Sequence, residues 1–322
     1  MHQLAMQFLE LAEKHGTTAS LMMGHRLMGV SLMLMGDIVQ SRTHLDEAIA
    51  LYDPAADRPL AARFGNDPGI TSLGFRARSL WLLGYPEAAL ADADHALRDA
   101  REIGHAATLM LALDHASLTH MLCGDYTVAN KETDELVALA DEKTAAYWKA
   151  QAMLNKGSLL SVTGRHADAV QMIDSGVTAI RSTGSTLWLP LHLSYLGVAY
   201  AELHRFDDAW RCIGEAVTAV ETTKEKWSEA EIHRIAGEIA LKSLKPDAAK
   251  AEAHFERALA VARQQQAKSW ELRAAMSMAR FWRDQGKRNE ARELLAPVYG
   301  WFTEGFDALD LKEAKALLDQ LS

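Results

Sequence analysis

Apolar and polar residues along this chain follow the 3.6-residue period of amphipathic helices, and the helices come in pairs. The stretch 149–183, KAQAMLNKGSLLSVTGRHADAVQMIDSGVTAIRST, shows the unit. One apolar-striped helix runs to Gly164 and a second begins just after it. Gly157 sits where the first helix must let its partner approach closely. Gly164 follows seven residues later, Ala169 twelve, Ile173 sixteen and Gly176 nineteen.

The unit recurs. Its small position returns at Gly29, Ala77, Ser117, Gly157, Gly197, Gly237 and Ala279, in steps of 48, 40, 40, 40, 40 and 42 residues. Turn glycines stand seven residues on at Gly36, Gly84, Gly124, Gly164 and Gly286, with His204 in the fifth copy. The alanine twelve residues on is Ala89, Ala129, Ala169, Ala209 and Ala291. Ser41 replaces it in the first copy, and Ala251 takes it in the sixth after an insertion around Lys245-Pro246. The spacing predicts an all-α fold: a tetratricopeptide (TPR)-like α-solenoid, a right-handed superhelix of antiparallel helix pairs. A common TPR repeats every ~34 residues, so each pair here is longer by about six. HEAT-type repeats of similar length are the structural runner-up.

We read residues 1–322 as a single solenoid. Residues 1–15 form the second helix of an incomplete repeat, 17–302 hold about seven helix pairs, and 310–321 form a C-terminal capping helix. The expected apolar stripe of the first helix is Leu4, Phe8, Leu11 and Ala12. The next helix is rich in methionine (Met22, Met23, Met28, Met33, Met35), which suits either an adaptable core or a docking face for an upstream domain. Residues 53–69, DPAADRPLAARFGNDPG, are expected to be a loop, an insertion that accounts for the 48-residue step. Near the end, Asp310 with Glu313 gives a capping-box-like helix start.

Charge and cysteine content narrow the function. The formal charge is −9 and the pI about 5.8. An acidic chain lacks the basic stripe that displaces counterions from nucleic acid. Cys123 and Cys212 fall in different repeats and are expected to be reduced, as in a cytoplasmic protein. Residues 1–16 alternate apolar and charged residues at helical spacing and are read as a helix in place of a secretory signal, and the apolar run 21–36 contains His25 and Arg26.

The C-terminal half carries a resemblance. KWSEAEIHRIAGEIAL (226–241) and AEAHFERALAVARQQQAKSWELRAAMSMARFWRDQGKRNEARELLAPVYGWFTEGFDALDLKEAKALL (251–318) resemble the helical-repeat region of multidomain bacterial class III adenylate cyclases. In those proteins a cyclase domain and an AAA-type ATPase domain precede TPR-like repeats. The resemblance covers roughly residues 180–320. No cyclase-like segment and no G-x-x-x-x-G-K-[ST] phosphate loop occur here, so no catalytic or nucleotide-binding residue carries over. What the resemblance implies is a role in regulation and protein interaction, with ATPase or cyclase domains as expected upstream neighbours.

Candidate chemistry is sparse. The thirteen histidines form no H-E-x-x-H pair, and His115 and His120, five apart, do not share a helix face. No metal site, catalytic group or cofactor is expected. A groove stripe can be read on the first helices at offsets −6, −3, +1 and +4 from the small position. It gives Glu231, Arg234 and Glu238 in the sixth repeat, and Arg273, Arg280 and Arg283 in the seventh. The second repeat adds Arg78 and Trp81. Arginine forks match carboxylates, so the expected partner is a protein or peptide, acidic in character. Neutralisation of Arg234 and Arg280 by Glu231 and Glu238 is the competing structural reading. The reading as a whole is a non-catalytic interaction and regulatory scaffold. The alternative is a small-ligand sensor, to be distinguished by a closed pocket in place of an open charged groove.

Overall fold

The computed structural model describes residues 2–243 and 245–322; the predicted N-terminal helix includes Met1, which lies outside the described residues. Helix α1 (His2–His15) comes first. Helices α2 (Thr18–Met35) and α3 (Ile38–Leu51) form the first pair. Two single turns follow, α4 (Pro54–Asp57) and α5 (Ala61–Phe64), joined by a 3-10 turn at Arg58–Leu60. Then come α6 (Pro68–Leu82) with α7 (Pro86–Ile103), and α8 (Ala106–Cys123) with α9 (Tyr126–Glu142). The fourth and fifth pairs are α10 (Ala146–Val162) with α11 (His166–Ser182), and α12 (Leu189–Glu202) with α13 (Phe206–Thr223). Helices α14 (Glu229–Lys242) with α15 (Ala248–Gln264), α16 (Lys268–Asp284) with α17 (Arg288–Tyr299), and α18 (Leu309–Gln320) complete the chain.

Local chemistry sets the helix ends. Aspartates at 37, 67, 125 and 247 accept from the backbone N–H three residues on, the usual N-cap bond. Turn glycines Gly36, Gly84, Gly124, Gly164 and Gly286 sit at φ between 81° and 87°, where a side chain is strained. His204 holds the equivalent place at φ 59°.

The segment 53–69 is more ordered than the loop its prolines suggest. Asp53 caps α4 through the Ala55 N–H, and the Asp57 carboxylate accepts from the Asp53 N–H at 2.9 Å. The Tyr52 hydroxyl donates to Asp67, the cap of α6, at 2.8 Å. Short-range capping bonds thus fold the insertion into turns.

The structure changes the reading of both ends. Helix α1 packs on α2 through Ala5, Leu9 and Ala12, while Leu4 and Leu11 are 71% and 63% exposed and Phe8 is also exposed. Small residues on that face allow the closer approach. Of the five methionines, Met22, Met23, Met28 and Met33 are buried, as the adaptable-core reading expects, and Met35 is 41% exposed. At the other end, α18 starts after Ala308 with no side-chain cap. Asp310 and Glu313 instead receive arginines from α16.

The superhelix closes on itself. First helices α6, α8, α10, α12, α14 and α16 pack in succession, and α16 returns to touch α6. Ser269 donates to the Trp81 carbonyl, and the Trp81 and Trp270 rings meet edge to face at 4.6 Å. The Lys226 N–H donates to the Leu34 carbonyl at 2.7 Å. Glu304 accepts from the Ala88 N–H, and Glu87 from the Gly305 N–H. The later repeats therefore rest on the C-terminal ends of the earlier first helices. Among the described residues no helix is long and apolar enough to cross a membrane. Both cysteines are free and buried.

Candidate functional site

The ring of first helices encloses the superhelix axis, and the side chains there fall into two levels. Arg78 of α6 lies at the first level and is 0% exposed. Its guanidinium stacks on Trp188 at 4.4 Å and faces Trp227 at 5.4 Å. None of its three nitrogens has a hydrogen-bond partner among the described residues. A buried, unpaired charge is among the more costly features a core can hold. Burial lowers the Arg78 pKa to about 10, partly opposed by Asp114 and Glu225.

A buried hydrogen-bond chain surrounds it. Asn155 donates to Asp114 at 2.9 Å and to Ser117 at 3.2 Å. Gln151 lies 3.4 Å from His192 Nε2, and Ser158 meets His192 Nδ1 at 2.9 Å. Burial pushes Asp114 up to about 6 and His192 down to about 3, the latter with help from Arg78. Glu225, pushed up to about 7 by burial, accepts from the Trp188 N–H and the Trp227 indole N–H. Trp188 sits at φ 69°, an uncommon conformation for a bulky residue. Beside Glu225 opens a cleft of about 500 Å³, lined by His2, Ser31, Leu34, Leu187 and Lys224 among others.

The second level holds most of the sequence-predicted residues. Arg234 donates two bonds to Glu231, at 2.7 and 2.8 Å, and lies 3.6 Å from Glu238. Arg273 donates to Asp310 at 2.7 Å and to the Leu122 carbonyl at 2.8 Å. Its guanidinium covers Trp81 and Trp270 at 5.2 and 5.1 Å. Arg280 pairs with Glu313; Arg283 pairs with Asp284 and Gln320. A cavity of about 170 Å³ remains between Tyr126, Tyr195, Glu231, Arg234, Arg273 and Arg280. That is below the ~300 Å³ at which small-molecule sites usually begin.

The structure therefore brings Glu231, Arg234, Glu238, Arg273 and Arg280 together, with Arg283 at the rim. Trp81 joins them by lying under Arg273. Arg78 stands apart at the first level. The expected open arginine stripe is an internally paired one, because the returning turn supplies Asp310 and Glu313. Asp114, Gln151 and Ser158 were missed, although they occupy the same stripe offsets in the third and fourth repeats. Asn155 and His192 lie off those offsets and left no such signal.

No family profile matches the chain. Over 236 residues, 73% of this chain, it is 22% identical to an uncharacterized protein of Rhizobium meliloti (strain 1021), and the match spans 23% of that protein's length. Among solved structures it is similar to a Rap protein complexed with Competence and Sporulation Factor, at TM-score 0.66, 12% identity and coverage of 99% of this chain and 81% of that one. It is also similar to aspartyl phosphate phosphatase F from Bacillus subtilis, at TM-score 0.56, 11% identity and coverage of 94% and 75%. A tetratricopeptide repeat protein from Parabacteroides merdae matches at TM-score 0.50 and 14% identity, with coverage of 98% and 99%. The likeness is one of fold: the chain is a TPR-like α-solenoid.

Proposed function

We propose that this chain is a non-catalytic interaction and regulatory module, akin to the C-terminal arm of cyclase–ATPase signalling proteins, working in the cytoplasm beside such domains. The supporting observation is the rim of α16. There the Arg280 and Arg283 side chains are 39% and 29% exposed, and their partners Glu313 and Asp284 are exposed too. Exposed pairs contribute only ~0–1 kcal/mol, so an acidic partner can exchange for them at little cost. The small share of the Rhizobium protein that this chain spans suits a role as one part of a larger protein. The catalytic alternative is poor in candidates. The Ser158–His192 pair is fully buried, and an imidazole pushed down to about 3 is a weak base at neutral pH.

The double variant Arg280→Ala/Arg283→Ala should keep the fold and weaken the native partner at least tenfold, about 1.4 kcal/mol. The partner would be captured on the wild-type chain from its own cells, purified and titrated calorimetrically at two salt concentrations. Affinity should fall as salt rises. An unchanged dissociation constant in the variant would remove the rim from the reading.

Arg78 favours a second reading, a small-ligand sensor. Its three unpaired nitrogens, sealed behind Trp188 beside an open cleft, suit a carboxylate or phosphate group. Inorganic phosphate, acetate and citrate should then raise the melting temperature and change the tryptophan fluorescence of the wild type but not of Arg78→Met. Equal responses in both proteins would exclude Arg78 as the anchor.

A further inference from the structure

Outside the axis, three consecutive helices converge on one point. Helix α7 brings Asp94, the last turn of α8 brings His120, and α9 brings Glu132. His120 Nε2 lies 3.3 Å from Asp94 Oδ1 and 3.6 Å from Glu132 Oε1, and all three ligand atoms fall within 4.8 Å of one another. His120 and Glu132 are buried, whereas the Asp94 side chain is 51% exposed. One side of the cluster therefore reaches solvent, which gives an ion a way in and a water molecule a place to bind.

Without an ion, His120 Nε2 and Asp94 Oδ1 make one long hydrogen bond at 3.3 Å, and Glu132 Oε1 at 3.6 Å makes none. An N–H···O bond has its usual length near ~2.9 Å and is weak beyond ~3.2 Å. Ligand bonds of ~2.0–2.2 Å to a tetrahedral zinc ion place neighbouring donors about 3.3–3.5 Å apart. Both measured separations lie close to that edge.

Glu132 supplies the independent observation. Its second carboxylate oxygen is buried and has no hydrogen-bond partner among the described residues. A His120–Asp94 pair would not need a second buried carboxylate. A bound divalent cation supplies the counter-charge that this carboxylate lacks.

We propose that Asp94, His120 and Glu132 form a divalent-metal site of the zinc class, with water completing the shell. One imidazole and two carboxylates are suitable donors for Zn²⁺, and for Co²⁺ as its spectroscopic substitute. Mg²⁺, which favours an all-oxygen octahedral shell, is a poor match. With ligands on α7, α8 and α9, the ion staples the second repeat to the third. Its role is thus structural: the first, buried level of the axis receives residues from both α6 and α8.

The test uses the full chain, freed of metal with a chelator and titrated calorimetrically with Zn²⁺. The expected result is one site of about 10 µM or tighter, a rise in melting temperature, a visible Co²⁺ absorption band, and no response to Mg²⁺. His120→Ala and Glu132→Gln should each weaken Zn²⁺ at least tenfold. Glu132→Gln keeps the shape and removes the buried charge, so it is expected to fold even where His120→Ala does not. Two histidine pairs elsewhere, His25–His44 and His233–His254, have Nδ1 atoms 3.0 and 3.3 Å apart and serve as the control. A His44→Ala/His254→Ala variant should leave the measured site unchanged. Absence of Zn²⁺ binding, survival of full binding in Glu132→Gln, or loss of it in the histidine-pair variant would each overturn the proposal.

Discussion

Arg273→Ala is expected to destabilise the chain by about 3–5 kcal/mol, the range for removing one partner of a buried ion pair. Arg273 joins elements far apart in sequence: it bonds Asp310 and the Leu122 carbonyl, approaches Glu231 at 3.7 Å, and covers Trp81 and Trp270. Truncation leaves Glu231 with one fewer cation and frees the tryptophan faces where the second turn meets the first. Burial works against the Glu231 charge, yet Arg234 and Arg273 more than reverse this and hold its carboxyl below the ordinary value. That contribution is present above the unfolded pKa and is lost as pH falls through the lower folded one. Urea denaturation at neutral pH reads the effect, with Arg280→Ala as the control. The exposed Arg280–Glu313 pair should be worth no more than ~1 kcal/mol. A loss from Arg273→Ala as small as the control's would mean that the turn closes on apolar packing alone. It also follows that Arg273, although it lies on the predicted groove stripe, is unsuited to a binding test, because its loss disturbs the fold.

Gly157→Ala should be destabilising and Gly197→Ala should not, although both glycines hold the same repeat position. A Cβ at Gly157 would penetrate Ile173 Cγ1 and lie 3.0 Å from the Ile173 backbone nitrogen. Backbone cannot swing away, so overpacking should cost about 1–3 kcal/mol, and Gly157→Leu more. At Gly197 the nearest atom is Ile213 Cδ1 at 3.3 Å, the movable end of a side chain. Helix-interior glycine is worth roughly 0.5–1 kcal/mol less than alanine, so Gly197→Ala should be neutral or stabilising. Thermal melts of the two single variants decide the matter. Equal destabilisation would show that the α12–α13 contact is as tight as that between α10 and α11.

The sequence by itself determined the helix pairs, their turns and their order. Those features rest on local rules: a 3.6-residue period, aspartate caps, turn glycines at positive φ, and small residues where two neighbouring helices cross. It also placed Arg78, Glu231, Arg234, Arg273 and Arg280 on the inner face, because helical spacing fixes a side chain's direction. What faces each of them was decided by the tertiary structure. The rotation from one repeat to the next accumulates over five interfaces before α16 meets α6. No local pattern encodes that sum. It sets Trp81 against Trp270, gives Arg273 to Asp310, and seals Arg78 behind Trp188. The same limit applies at Asp94, His120 and Glu132: each looks ordinary on its own helix, and only the packing of α7, α8 and α9 brings the three together.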